Sequence, residues 1–361
     1  MTGQSFIRLK RNSVMKNLAA ARLAIVAVMA FAGLYHSVAT VHASSASDKC
    51  DSTVSNPASR EGMVWVPGGT FMMGSDETYP EERVEHEVTV DGFWMDVHEV
   101  TNAQFARFVE ETGYVTVAER TPDPELIKGA PEEMFKPGSI VFISPSDEIN
   151  SYADILQWWS YVPGANWRHP EGPESNIENK DDYPVVHIAY EDAAAYAKWL
   201  GRELPTEAQF ELAARSQREG EKYAWGGDEL APDGKYKANT WQGVFPLKNT
   251  AEDGYKGVAP VGSYDANDYG VYDLIGNVWE WTTNWYRPEH NPEDGTNPKG
   301  PGEEANYDPN QSMFPTRVIK GGSYLCAPNF CRRYRPAARH AQDTGIGTNH
   351  IGFRAVLNPK P

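Results

Sequence analysis

A chain of 361 residues has room for one large domain or two ordinary ones and buries a sizeable core, so nothing in its size calls for a small stapled scaffold. Its formal net charge of −17 repels nucleic-acid phosphates and anionic lipid headgroups, which argues against roles on either surface. A content of 11 Trp, 18 Tyr, 31 Gly and 26 Pro favours a turn-rich, aromatic-packed architecture over long helices.

The chain begins with a basic leader (Arg8, Lys10, Arg11, Lys16), an apolar run from Leu23 to Tyr35 and small residues up to Ala43. Residues 1–43 read as a secretory signal peptide cleaved after Ala43, with Met15 as an alternative start. The apolar run is short against the ~20 residues that span a bilayer, so no stable membrane insertion is expected after cleavage. The mature protein is then expected in an oxidising compartment of the secretory pathway: periplasm or extracellular space in a bacterium, endoplasmic reticulum lumen in a eukaryote. Residues 44–60, which include Cys50, have linker composition, and an ordered domain is expected over 61–358.

Thr70 to Met73 and Val88 to Trp94 read as the strands of a hairpin. Thr101-Asn102-Ala103-Gln104 is a capping box, followed by Phe105, Phe108 and Val109 on one face and by Gly113 as a stop. Glu99 lies at the approach to this helix. From Thr121 to Asp182 the chain reads as irregular, with Trp158, Trp159 and Trp167 holding it in order. A helix is expected from Tyr190 to Gly201 and another after the capping box Thr206 to Gln209. Beyond Ser216 short strands and ordered loops are expected. Within them, Asn239 with Asp253, and Asp273 to Glu280, have the oxygen-rich, Gly-bent character of hard-cation sites, although the same residues are common in turns.

The stretch Lys320 to Arg335 holds Cys326 and Cys331, two of the three cysteines, flanked by Arg332, Arg333 and Arg335. Positive charge there favours thiolates, which are soft metal ligands; in a secreted protein a structural disulfide is the competing reading. Phosphate-binding Gly loops, nucleophile elbows and His-x-x-x-His pairs are absent.

Several segments together carry a resemblance: Gly68 to Gly74, Leu204 to Ala208, Gly276 to Trp281, Gly352-Phe353-Arg354 and, more specifically, Gly164 to Pro173, Trp241-Gln242-Gly243 and Gly321-Gly322-Ser323-Tyr324-Leu325-Cys326 with Cys331. From about 62 to 357 the chain resembles the formylglycine-generating enzymes, which oxidise a sulfatase cysteine. The resemblance implies a single α+β domain of low regular secondary structure, related to the C-type lectin fold. It implies Cu(I) on Cys326 and Cys331, with Ser323 and Trp279 beside them. Two structural Ca2+ are implied, on Asn239, Thr240, Asp253 and Tyr255, and on Asp273, Gly276, Val278 and Glu280. Glu99 and Asp123 would take the Arg of a Cys-x-Pro-x-Arg motif in an unfolded sulfatase polypeptide. Dioxygen and a thiol reductant are the implied co-reactants, and a monomer is expected. Two family disulfides are missing, their places held by Ala197 with Ala355 and Ala214 with Pro336. The active-site Asn of the family falls on His350, with Asn349 one residue earlier. The competing readings are a secreted lectin-like binding module with a Cys326–Cys331 disulfide, and a non-haem iron oxygenase drawing on His86, His98, His169, His187, His340 and His350.

Overall fold

The computed structural model describes residues 59–359 apart from 147, 219 and 310–314. The expected signal peptide, nearly all of the expected linker and Cys50 lie outside the described residues.

Four strands open the domain: β1 (Met63–Val66), β2 (Gly69–Met73), β3 (His86–Val90) and β4 (Phe93–Asp96). β2 and β3 form the expected hairpin, with Phe71 opposite Val88. The single strand expected from Val88 to Trp94 is instead two: the chain leaves β3 after Val90, and β4 pairs with β1, Trp65 opposite Trp94. The cause is steric. A Cβ on Gly92 would stand 2.3 Å from the Trp65 ring, so the turn occurs where Trp65 needs a residue without a side chain.

Helix α1 (Asn102–Thr112) starts at its capping box, Thr101 Oγ1 accepting the Gln104 N–H (3.3 Å) and Gln104 Oε1 accepting the Thr101 N–H (2.9 Å), and stops at left-handed Gly113. Its buried Phe105 and Phe108 pack on Tyr196 of α2 (Tyr190–Trp199), two residues shorter than expected. Helix α3 (Glu207–Arg215) repeats the capping logic through Thr206 and Gln209. All of its residues are buried, charged ones included, because each charge has a partner: Glu207 binds Arg339 (2.7 and 2.9 Å), and Glu211 binds Lys320 (2.9 Å) and Arg215 (2.7 Å).

The stretch 121–182, expected to be irregular throughout, contains a hairpin of β5 (Gly138–Phe142) and β6 (Trp159–Pro163), with Phe142 opposite Trp159. Five-residue strands separated by a long connection give an alternating pattern too few residues in which to show itself. A short pair follows, β7 (Gly243–Val244) with β8 (Lys248–Asn249).

The last strands are β9 (Trp279–Trp285), β10 (Thr316–Lys320), β11 (Arg339–Asp343), β12 (Ile351–Gly352) and β13 (Val356–Leu357). Four of them form a sheet in the order β11-β10-β9-β12, in which β12 runs parallel to β9, while β13 joins β4 and closes the C-terminal end onto the start of the domain. Ala197, Ala214 and Ala355, expected to replace disulfide cysteines, all lie in the apolar core. Among the described residues no helix is long and apolar enough to cross a membrane.

Candidate active site

Strand β10 delivers the cysteines. It ends at Lys320, whose ammonium is fully buried against α3, and the chain then turns through Gly321 and Gly322, both at positive φ. A Cβ on Gly322 would lie 2.7 Å from the Arg333 carbonyl oxygen, so the outgoing and returning arms of the loop close on each other there. Main-chain hydrogen bonds pin the loop from outside: Trp241 N–H to Cys326 O (3.0 Å), Tyr324 N–H to Asn277 O (2.9 Å) and Gly276 N–H to Gly321 O (3.0 Å). These donors and acceptors lie within or beside the two segments expected to bind cations. Beneath the loop a separate apolar cluster of Trp158, Trp241, Phe245, Tyr324, Leu325 and Ala327 supports it.

Cys326 is buried and Cys331 half-buried; their sulfurs are 3.0 Å apart and unbonded, so the structural disulfide of the competing reading is not formed. The hydrogen bond from Cys326 lowers the Cys331 thiol to about 6, helped by the Arg333 guanidinium, whose Nη1 lies 3.9 Å from the sulfur. Burial pushes the Cys326 thiol well up. At neutral pH the pair therefore holds one proton, on Cys326, and one negative charge, on Cys331. Of the three flanking arginines only Arg333 does this work. Glu81 holds it (Nε to Oε1, 3.0 Å) and Tyr79 lies under it at 4.1 Å, whereas Arg335 is committed to buried Glu82 (Nη1 to Oε2, 2.8 Å) and Arg332 points outward.

Ser323 is fully buried, its Oγ accepting the Leu325 N–H (3.2 Å) and lying 3.1 Å from His350 Nδ1. Asn349 does not reach it: its Oδ1 accepts the Phe142 N–H at 3.0 Å. Of these two neighbours it is His350, not Asn349, that stands beside Ser323. Trp279, also buried, donates its N–H to the His350 carbonyl (2.9 Å) and stands 5.9 Å, ring to ring, from His340. The six histidines of the iron reading do not form a triad. His98, His169 and His187 are tied to backbone carbonyls, and among the described residues no three His, Cys, Asp or Glu side chains are arranged to hold a metal ion.

The two segments expected to bind cations differ in how their oxygens are committed. Asn239 is buried with Nδ2 donating to Gly257 O (2.9 Å) and Asn277 Oδ1 (3.0 Å), and its Oδ1 has no partner. An orphaned buried carbonyl oxygen is what a cation would satisfy. Asp253, by contrast, is occupied by the N–H groups of Thr240 (2.9 Å) and Tyr255 (3.1 Å) and by Gln242 Nε2 (2.9 Å). At the second site Asp273 accepts the Gly262 N–H (2.6 Å), and Glu280 binds Arg354 through both oxygens at 2.7 Å. Gly276 is required here, since a Cβ would fall 2.4 Å from the Asn239 carbonyl.

Glu99 belongs to this second cluster, which corrects its expected role. It is completely buried, Oε1 accepting Asn277 Nδ2 (3.1 Å) and Oε2 unpartnered, so it offers nothing to a substrate guanidinium. Only its position ahead of α1 was legible in the chain; that β4 and α1 turn it inward was not. Asp123 is exposed, with Oδ1 accepting the Glu125 N–H (2.9 Å), and no hydrogen bond joins it to Glu99.

Burial raises the carboxyls of Glu99, Asp273 and Glu280, and one guanidinium, Arg354, faces the three of them. Fully ionised, the cluster carries two uncompensated negative charges, the charge of one divalent cation. A folded state that holds carboxyls above their ordinary values binds protons more tightly than the unfolded chain, so stability falls as pH rises through the raised values. Melting temperature without metal is therefore expected to drop as pH rises above the ordinary carboxylate range, and calcium is expected to flatten that slope. Asp96 and Asp192, each pushed up to about 6, slope the same way in both samples, so the difference between the two curves is the readout. Parallel curves would contradict the cation assignment.

Comparison with known proteins places the chain in a family. Residues 50–359 match the sulfatase-modifying factor enzyme 1-like domain. A formylglycine-generating enzyme of Mycobacterium tuberculosis is 49% identical over 82% of this chain and 98% of its own length, and one of Mus musculus is 42% identical over 83% and 76%. An inactive Cα-formylglycine-generating enzyme 2 of Mus musculus is 41% identical over 81% and 85%. The structure of PvdO from Pseudomonas aeruginosa shares the fold, at 23% identity over 82% of this chain and 94% of its own, with a TM-score of 0.56. On the extent of the domain match and on identities above 40% over most of its length, the chain belongs to the formylglycine-generating, sulfatase-modifying enzyme family.

Proposed function

We propose that this protein oxidises the cysteine of a Cys-x-Pro-x-Arg motif in unfolded sulfatase polypeptides to formylglycine, using dioxygen, a thiol reductant and Cu(I) held by Cys326 and Cys331. The observation that carries the reading is the pair of unbonded thiols facing each other at 3.0 Å, with the Arg333 guanidinium 3.9 Å from Cys331. Similarity alone does not, because an inactive relative is 41% identical.

The residues fit a soft cation: two sulfurs face each other, one already ionised, and low-coordinate Cu(I) is the ion two thiolates favour. Bound there, copper would supply the activation of dioxygen that breaking a Cβ–H bond requires. The chain supplies the rest. The Cys326 hydrogen bond, helped by Arg333 clamped between Glu81 and Tyr79, favours the Cys331 thiolate, while burial of Cys326, Ser323 and Trp279 excludes water from the reacting groups. The overall change is peptidyl CH2SH with dioxygen and two thiols, giving aldehyde, hydrogen sulfide, water and a disulfide. We assign the two cation clusters to structural Ca2+, which would hold the segments that pin the cysteine loop. Secretion through the expected signal peptide and action as a monomer belong to the same reading.

Asp123 remains the acceptor proposed for the substrate Arg, and exposure makes the pairing weak. Asp123→Asn is expected to raise KM by about fivefold or less, in line with ~1 kcal/mol for an exposed pair. Glu99→Gln is expected to lower calcium affinity and leave the preference for Arg over Ala in the peptide unchanged. A Glu99 variant that loses that preference would restore the role withdrawn above. The function itself is tested by incubating the mature protein with Cu(I), a thiol and a Cys-x-Pro-x-Arg peptide, with mass spectrometry for the aldehyde. Conversion is the expected result; copper bound without conversion would overturn the reading.

A further inference from the structure

Ser323 places a fully buried hydroxyl within the cysteine loop, and every part of it that the structure locates is committed. Its backbone N–H faces the Cys326 sulfur, its Oγ accepts the Leu325 N–H, and its remaining contact is His350 Nδ1 at 3.1 Å. We infer that His350 is a positioning residue: its Nδ1 accepts the Ser323 hydroxyl hydrogen and so presents Ser323 to the reaction as an acceptor rather than a donor. This rests on the oxidase reading for its consequence, but the contact itself does not.

The His350 ring is held in place for that role. It packs 4.9 Å from the Trp159 ring on β6, and its carbonyl accepts the Trp279 N–H. An imidazolium has no acceptor, so the arrangement exists only while His350 is neutral. Burial keeps it so, pushing it down to about 3, and its titratable neighbours are both imidazoles: His187, fully buried and held by the Pro170 carbonyl, and His340, lowered to about 3. With the hydroxyl hydrogen on His350 and one lone pair on the Leu325 N–H, a single lone pair of Ser323 is left. That pair suits the S–H of an incoming peptide cysteine, a donor that must lose its proton before the sulfur can bind a metal.

An asparagine in this place has an acceptor oxygen and would do the same; an alanine would not. The experiment measures kcat and KM for peptide conversion from pH 6 to 9 in the parent, His350→Asn, His350→Ala, Ser323→Ala and the Ser323→Ala/His350→Ala double variant, alongside Cu(I) stoichiometry. His350→Ala is expected to lower kcat by about tenfold to a hundredfold, the range for groups that orient a metal site from outside, with KM and copper stoichiometry unchanged. His350→Asn is expected to restore most of kcat with the parent's pH profile. In the Ser323→Ala background, loss of His350 is expected to cost little more, because the two act as one unit. Nitrogen NMR of the metal-free protein reads the contact without turnover: the Nε2–H tautomer, with an Nδ1 resonance that moves on Ser323→Ala. Full activity of His350→Ala, additive losses in the double variant, or loss of a pH limb in His350→Asn would each overturn the inference. So would an Nδ1–H tautomer indifferent to Ser323. If the parent itself converts no peptide, the oxidase reading fails and the NMR result alone decides the contact.

Discussion

Cys326→Ser and Cys331→Ser are each expected to abolish stoichiometric Cu(I) binding and to lower aldehyde formation by more than about 100-fold, a loss that removing only an outer partner of a metal ligand can already reach. The hydroxyl is a hard, weak donor for a soft ion, so its similar shape does not rescue the site. Folding is expected to survive both changes. The loop is held by main-chain bonds such as Trp241 N–H to Cys326 O and Cys331 N–H to Ala327 O (2.9 Å), which serine keeps. The variants should differ in their remaining thiol. Cys331 in Cys326→Ser loses the thiol hydrogen bond that is the largest cause of its lowered pKa, but keeps Arg333, so it stays the more reactive towards alkylation. Cys326 in Cys331→Ser is buried and should react slowly. Copper retention under competition with a chelator and alkylation rates at pH 7 check both statements.

The second large effect lies away from the thiols. Arg354 is fully buried, binds Glu280 through Nε and Nη2 at 2.7 Å each, and is the only cation facing Glu99 and Asp273 among the interactions of those groups. Arg354→Met leaves three buried carboxyls without a counter-charge, and breaking such a pair costs about 3–5 kcal/mol. At 2–4 °C per kcal/mol for domains of this class, the melting temperature is expected to fall by roughly 10 °C. The loss should deepen as pH rises, because carboxyls already raised by burial are raised further and must give up protons against a larger penalty. Saturating calcium is expected to recover part of it. A shift of a degree or two, equal at pH 5.5 and 8, would contradict this account of the cluster.

Much of this was legible where the controlling interaction is local. Both capping boxes formed at the residues that spell them, Thr101 with Gln104 and Thr206 with Gln209. The cysteine stretch drew attention by its chemistry alone. What the chain concealed depends on partners far apart in sequence. The break between β3 and β4 is set by Trp65 crossing Gly92, and nothing near Gly92 announces it. The burial of Glu99 was not legible beside the helix it precedes, because the residues that bury it, Asn277 and the Asp273 and Glu280 cluster, come about 180 residues later. The three arginines after Cys331 looked equivalent until Glu81 and Glu82 chose between them. Which of Asn349 and His350 faces Ser323 likewise depends on a distant group, since the β5 strand end at Phe142 bonds Asn349.

The segments proposed to bind Ca2+ are tied to the thiol pair, because Trp241, Gly276 and Asn277 bond directly to the cysteine loop. Calcium removal is therefore expected to loosen the thiol pair as well as the fold.

The most direct test loads the metal-free protein with one equivalent of Cu(I) and follows copper content and peptide aldehyde in the same samples, with and without dioxygen. The account expects about one tightly held copper per chain, and aldehyde only where copper, dioxygen and thiol are all present. Aldehyde formed without copper, or copper held equally well after Cys326 and Cys331 are both replaced by Ser, would contradict it.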